Sequence, residues 1–197
     1  MIDKAISSER VIVFGASGFL GSHVADTLTN AGYRVRLFDR SPSPYLKGNQ
    51  EMIVGDIMNL EEVIEAAKGS SIVYNFAAIA DIDEAHDKPI PTATINVLGN
   101  MHALEAARIA GARRFVFASS VYVYSESGSF YRASKQAAER FTETYHERYG
   151  LNYNILRYGS LYGRRADKRN GIYRMLQEAV EHHSITYKGS GEAMREY

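Results

Sequence analysis

Residues 10–21 read Arg-Val-Ile-Val-Phe-Gly-Ala-Ser-Gly-Phe-Leu-Gly. Arg10–Phe14 is a near-continuous apolar run, the pattern of a strand covered on both faces. Gly15, Gly18 and Gly21 punctuate the turn that follows. Helical spacing then runs from Phe19 to Ala31, with a stop signal at Asn30-Ala31-Gly32. A strand that feeds a helix through such a turn presents backbone N–H groups and the positive helix end to an anion. Gly15 permits a sharp turn, Gly18 removes a Cβ where a pyrophosphate would approach, and Gly21 lets the helix pack closely on the strand.

The same alternation continues along the chain. Apolar strands are predicted at Arg34–Asp39, Glu51–Val54, Ser71–Phe76, Arg114–Ser119 and Asn152–Arg157. Helices are predicted at Asn59–Lys68, Thr92–Ala110, Phe130–Tyr149 and Gly171–His183, and a further strand is expected to start at Ser184–Tyr187. Ser41–Gly48, with two prolines, and Asp81–Pro91, with Pro89 and Pro91, read as loops. Strands alternating with helices call for an α/β fold, a doubly wound parallel sheet with helices on both faces.

Composition narrows the chemistry. The 197 residues carry 23 Lys+Arg and 23 Asp+Glu, so no net field draws the chain to nucleic acid or to an anionic membrane. There is no cysteine, which removes disulfides, thiolate metal sites and cysteine nucleophiles. None of the six histidines has another four residues on, and no carboxylate cluster completes a metal site, so no metal is expected. No apolar run approaches the ~20 residues of a membrane span. Met1–Arg10 is short and charged, unlike a signal peptide, so a cytoplasmic protein is expected.

The glycines are spaced G-x-x-G-x-x-G rather than the commoner G-x-G-x-x-G, and an ordinary glycine-rich turn is the competing interpretation. Asp39 favours a dinucleotide. It closes the second strand eighteen residues after Gly21, where a carboxylate can accept both ribose hydroxyls of an adenosine. It would also repel a 2′-phosphate, which favours NAD over NADP, although Arg40 beside it is suited to meeting such a phosphate. Ser17, Phe19 and Leu20 complete the expected cofactor set in the turn. Asp56, after the third strand and beside Ile57, is placed either to bind adenine or to cap the next helix.

Tyr131 and Lys135 are four residues apart on a predicted helix and share a face. A free phenol, with a pKa near ~10, is a poor base at neutral pH. A neighbouring ammonium and an oxidised nicotinamide would both favour phenolate and lower that pKa. Tyrosinate can then take a proton from an alcohol while hydride leaves the same carbon. Ser119-Ser120, at the end of the fifth strand, offers a hydroxyl to hold the alcohol oxygen.

Together the segments VIVFGASGFLGSHV, LFDR, GDI, NFAA, INVLGNMHALEAAR, FVFASSVYVY, YRASKQAAE, LRYGSLYGRR and GSGEAMREY resemble the extended short-chain dehydrogenase/reductase family, in its nucleotide-sugar epimerase/dehydratase branch. The resemblance implies a Rossmann-type NAD(P)-binding domain over 1–165 and the start of a substrate-binding portion over 166–197. It implies Tyr131 as base, Lys135 as its partner and nicotinamide-ribose ligand, and Ser120 as the substrate hydroxyl. It also implies Ala77 and Ala78 against the cofactor, Asn96 in a structural role, and Ser160 and Arg195 near the substrate phosphates. A homodimer through the helices around 94–110 and 130–149 is implied, with Met101, Leu104, Ile109, Phe141, Tyr145 and Tyr149 on them.

Three departures shape the expectation. The segment between Ser120 and Tyr131 is short, so this side of the pocket should be open. Val121 and Tyr122 stand where the family's sugar dehydratases carry acidic residues, which argues against dehydration. The family continues beyond a stretch resembling 195–197, so the sequence is expected to be truncated. An NAD-dependent epimerase of a nucleotide-diphosphate sugar is the expected activity. A net reductase or dehydrogenase of a keto sugar or other alcohol, and a non-catalytic dinucleotide-binding protein, are the alternatives.

Overall fold

A computed structural model describes residues 9–186, which fall into two compact units divided between Arg157 and Tyr158. The first unit is built on a six-stranded sheet in the order β3-β2-β1-β4-β5-β6. The strands are β1 (Arg10–Phe14), β2 (Arg34–Asp39), β3 (Glu51–Val54), β4 (Ile72–Asn75), β5 (Arg114–Ser120) and β6 (Tyr153–Tyr158). The pairs β1–β2, β1–β4, β2–β3 and β4–β5 are parallel. In β1, Ile12 and Phe14 join the core on one side of the sheet, while Val11 and Val13 join the core on the other. Side chains at a period of two therefore feed two apolar layers, which is why the run needs no polar alternation.

The first layer receives Val63, Ala66 and Ala67 of α2 (Leu60–Ala67), four residues of α5 (Gly99–Ile109) and Ala138 of α6 (Ser129–Tyr149). The second receives Ala25 of α1 (Phe19–Asn30). Leu104, on a helix expected to pair in a dimer, is fully buried in the first layer. It faces the sheet, while Ile109, Phe141 and Tyr149 are the members of that set that face solvent.

Residues 81–91 differ from the loop expected of them. They form α3 (Ile82–Asp87) and the start of α4 (Pro89–Ala93). Asp81 caps α3 by accepting the Glu84 N–H at 2.8 Å. Pro89 sits in the first turn of α4, where its missing N–H costs nothing. The helix predicted from Thr92 runs on through a wide π-type turn at Thr94–Leu98 before α5 begins. Asn59, not Asp56, caps α2 and accepts the Glu62 N–H; Asp56 accepts the Met58 N–H at 2.9 Å in the loop before it.

In the second unit, α7 (Gly171–His182) is capped by Asn170, which accepts the Tyr173 N–H at 3.0 Å. Residues 184–186 carry no strand. Before this helix, Arg169 is paired with Asp167 at 2.6 Å.

The β1–α1 turn is the tightest passage in the first unit. Gly15 has φ +75°, and a Cβ there would lie 2.5 Å from the Ala77 nitrogen. A Cβ on Gly21 would lie 2.2 Å from the Gly15 carbonyl oxygen. Gly21→Ala must therefore displace the turn and should lower the unfolding free energy by roughly 2–4 kcal/mol. Gly18→Ala, whose Cβ would meet only the Gly15 oxygen at 3.4 Å, should cost less than about 1 kcal/mol. Urea unfolding of the two variants beside the parent measures the contrast.

Candidate active site

Parallel strands bring their C-terminal ends to one edge, and the predicted site residues of the first unit gather there. The glycine turn follows β1, Asp39 ends β2, Asp56 and Ile57 follow β3, Ala77 and Ala78 follow β4, and Ser120 ends β5. The strand order reverses between β1 and β4, and there the Gly15 turn meets the Phe76–Ala77 backbone.

The turn is shaped by its own hydrogen bonds. Gly15 N–H donates to the Phe38 carbonyl at 2.9 Å, and Ser17 N–H donates to Asp39 Oδ2 at 2.9 Å. Asp39 thus fixes the turn with one oxygen while remaining at the crevice for which it was predicted. Gly18 caps α1 without a side-chain bond, which leaves the first-turn amides of Phe19, Leu20 and Gly21 for an anion. Glycines that a Cβ would jam, uncapped amides and an acid at the end of β2 together fit a dinucleotide such as NAD. Arg40 is exposed beside Asp39; Ala77, Ala78 and Ile57 are half-buried along the same edge.

Asn96, in the π-type turn, has the structural role expected of it. Its Oδ1 accepts the Ile79 N–H at 2.8 Å, and its Nδ2 donates to the Ile79 carbonyl and to Ser134 Oγ. Ser134 Oγ in turn donates to the Tyr131 carbonyl at 2.8 Å. The chain after β4 is therefore tied to the helix turn that carries Tyr131. Asn75, Asn100 and Ser134 are buried participants that sequence reasoning did not single out.

Tyr131 and Lys135 face the end of β5 from α6, with Ser120 near the Tyr131 phenol; Ser120 Oγ accepts the Tyr122 N–H at 3.3 Å. Tyr122 packs edge-on to the Tyr131 ring, with centroids 6.3 Å apart. Lys135 is 4% exposed and donates to the Ala118 carbonyl at 2.8 Å, with its ammonium 4.9 Å from the Phe117 ring and 5.7 Å from that of Tyr131. The lowered phenol expected of Tyr131 is not found in the protein alone. Burial pushes it up, and the nearby Ser120 hydroxyl only partly opposes this. The Lys135 ammonium is held by a backbone carbonyl rather than by the phenol.

Burial pushes Lys135 down to about 8, against the opposing charge of Glu139. Glu139, one turn further along α6, was not anticipated. It accepts from Ser119 Oγ at 2.5 Å and from Arg157 at 2.9 and 2.7 Å. Its spacing of four from Lys135 was the available signal.

Ser160 is half-buried in the second unit, and Arg195 lies outside the described residues. Among the described residues no group of three His, Cys, Asp or Glu could hold a metal, and no helix is long and apolar enough to cross a membrane.

A lysine with a depressed folded pKa binds fewer protons than the unfolded chain between its two values. Its burial cost is therefore complete below about pH 8 and is relieved as the pH rises toward the unfolded value of 10.5. The stability of the parent relative to Lys135→Met should be flat below pH 8 and then rise by at most ~1.4 kcal/mol per pH unit above it. Denaturant unfolding at stepped pH measures this.

Comparison with known proteins agrees with this geometry. The profile of the NAD dependent epimerase/dehydratase family matches residues 11–197. UDP-glucose 4-epimerase of Mycolicibacterium smegmatis is 29% identical over 95% of this chain and 68% of its own. A 3-beta-hydroxysteroid dehydrogenase of Mycolicibacterium neoaurum is 37% identical, over 56% of this chain and 32% of its own. The crystal structure of UDP-glucuronic acid 4-epimerase from Bacillus cereus, in complex with UDP-glucuronic acid and NAD, superposes with a TM-score of 0.82 at 26% identity, over 94% of this chain and 68% of that one. The chain thus spans about two thirds of the epimerases it resembles and about one third of the steroid dehydrogenase. With a match that takes in the glycine turn, Ser120, Tyr131 and Lys135 alike, the chain belongs to the NAD dependent epimerase/dehydratase family.

Proposed function

We propose that the protein is an NAD-dependent epimerase of a nucleotide-diphosphate sugar, acting through a transient ketone. The observation that carries this is the gathering of Ser120, at the end of β5, Tyr131 and, one helical turn on, Lys135, on the same sheet edge as the glycine turn. The glycine turn, Asp39 and the residues after β4 would hold NAD, which when bound supplies a reversible hydride acceptor facing the sugar.

Tyr131, as phenolate, takes the proton of a ring hydroxyl and returns it to the ketone oxygen once the opposite face of the ring is presented. The Ser120 hydroxyl holds that oxygen throughout. The Lys135 ammonium favours the phenolate against the burial that resists it. Val121 and Tyr122 provide no carboxylate beside Ser120, so elimination of water has no acid–base pair there. Ser160 and Arg195 are proposed phosphate-side contacts of the substrate, and residues 166–197 the beginning of the substrate-binding portion.

A net dehydrogenase of a ring alcohol is the second reading, supported by the local identity to the steroid dehydrogenase. Incubating the full-length protein with uridine-, thymidine-, guanosine- and cytidine-diphosphate sugars, with stereochemistry followed by NMR, separates the two. Inversion without net NADH favours the epimerase, and stoichiometric NADH favours the dehydrogenase. Tyr131→Phe should lower kcat by about 10²–10⁴-fold while NAD still binds, as read by turnover beside calorimetric titration.

Exposed Ile109, Phe141 and Tyr149 on α5 and α6 support a homodimer through these helices. Sedimentation should give twice the monomer mass, and Phe141→Glu should halve it.

A further inference from the structure

Glu139 is the one buried carboxylate of the described residues, and the proton-transfer scheme above does not use it. Its two oxygens are held from two strands. Ser119 Oγ donates from β5, and the Arg157 guanidinium donates twice from β6. Ser119 directly precedes Ser120, and Glu139 lies one turn beyond Lys135 on α6. A buried glutamate could have been neutralised by a single arginine on an outer surface. Here it instead ties the helix that carries Lys135 to β5 and β6.

The surroundings of Lys135 show why a charge matters there. From β5 the ammonium meets the Ala118 carbonyl and the Phe117 ring. From α6 it meets Tyr131 and Glu139. Arg157 of β6 stands behind Glu139, and Tyr122 of the short helix at Val121–Tyr124 packs on Tyr131. The π-type turn contributes neutral Asn96. His86 of α3 meets Ser129 at the start of α6, and Glu105 of α5 meets Arg108 and Tyr145 further along it. Among these groups Glu139 is the carboxylate placed to offset the desolvation of the ammonium.

We propose that Glu139 is a positioning residue for the proton-transfer step: its carboxylate is the buried counter-charge that keeps Lys135 an ammonium and clamps the Ser119–Ser120 strand end to α6. This rests on the reading of Tyr131 as the base. The burial that pushes Lys135 down to about 8 sets the cost that Glu139 opposes. Without that charge the lysine loses its proton at lower pH, and the phenolate loses its partner with it.

The test uses the full-length protein with Glu139→Gln and Arg157→Gln. Glutamine keeps the size and one carbonyl acceptor but removes the charge, whereas Arg157→Gln keeps the carboxylate and removes the cation paired with it. The titration of Lys135 is followed by the NMR shift of its ε-carbon, assigned as the resonance missing from Lys135→Met. E139Q should lower that titration by about one pH unit, and R157Q should raise it. The alkaline limb of the kcat profile should move with each, at unchanged KM for the sugar. A clamp without an electrostatic role would shift both variants in the same direction or neither, and either result overturns the proposal. If E139Q does not fold, R157Q alone decides, since an unchanged or lowered titration there also overturns it. If the parent turns over no sugar nucleotide, the epimerase reading fails, and the ε-carbon titration still decides the role of Glu139.

Discussion

The approach of the Gly15 turn to the Phe76–Ala77 backbone governs the arrangement of everything else at the sheet edge. It occurs between β1 and β4, where the strand order reverses and the chain after each strand departs in opposite directions. Any side chain at residue 15 would wedge these two strand ends apart. With none present, Gly15 pairs with Phe38, Ser17 reaches Asp39, and Asn96 anchors Ile79 just beyond Ala77. The uncapped amides at the start of α1 and the helix that carries Tyr131 are thereby referred to the same short piece of backbone.

The second constraint is the enclosure of a cation. Lys135 is sealed against β5, and its ammonium has a carbonyl, an aromatic face and a nearby carboxylate in place of water. A lysine in this setting is poised near neutrality, which a solvated one is not. The enclosure works against stability, because desolvation disfavours the charged form.

Much of this was legible in the sequence because the signals were redundant. β1, β4 and the first half of β5 were apolar runs bounded by polar or glycine residues, and the glycine turn, Asp39, Ser120, Tyr131 and Lys135 fell at the ends or starts of the elements. Residues 81–91 misled because aspartate and proline serve equally well to begin a helix and to punctuate a loop. Asp56 and Asn59 were both chemically competent caps, and only the path of the chain selected Asn59. Leu104 could not be assigned to core or surface from spacing, since α5 is apolar over more than one face. The partner of Lys135 was illegible for a different reason: the Ala118 carbonyl belongs to a strand seventeen residues away and has no side-chain signature.

The wide turn at Thr94–Leu98 carries a further consequence. A π-type turn holds one residue more than the regular helix around it, so it sets the rotational phase of everything downstream. Asn96, within the turn, faces Ile79 and Ser134, and Asn100, just beyond it, faces Asn75 and Ala138. A lineage that shed one residue here would keep an unbroken helix and its apolar packing. It would nevertheless alter the spacing of the two asparagines, and with it the tie between the chain after β4 and the helix turn that carries Tyr131.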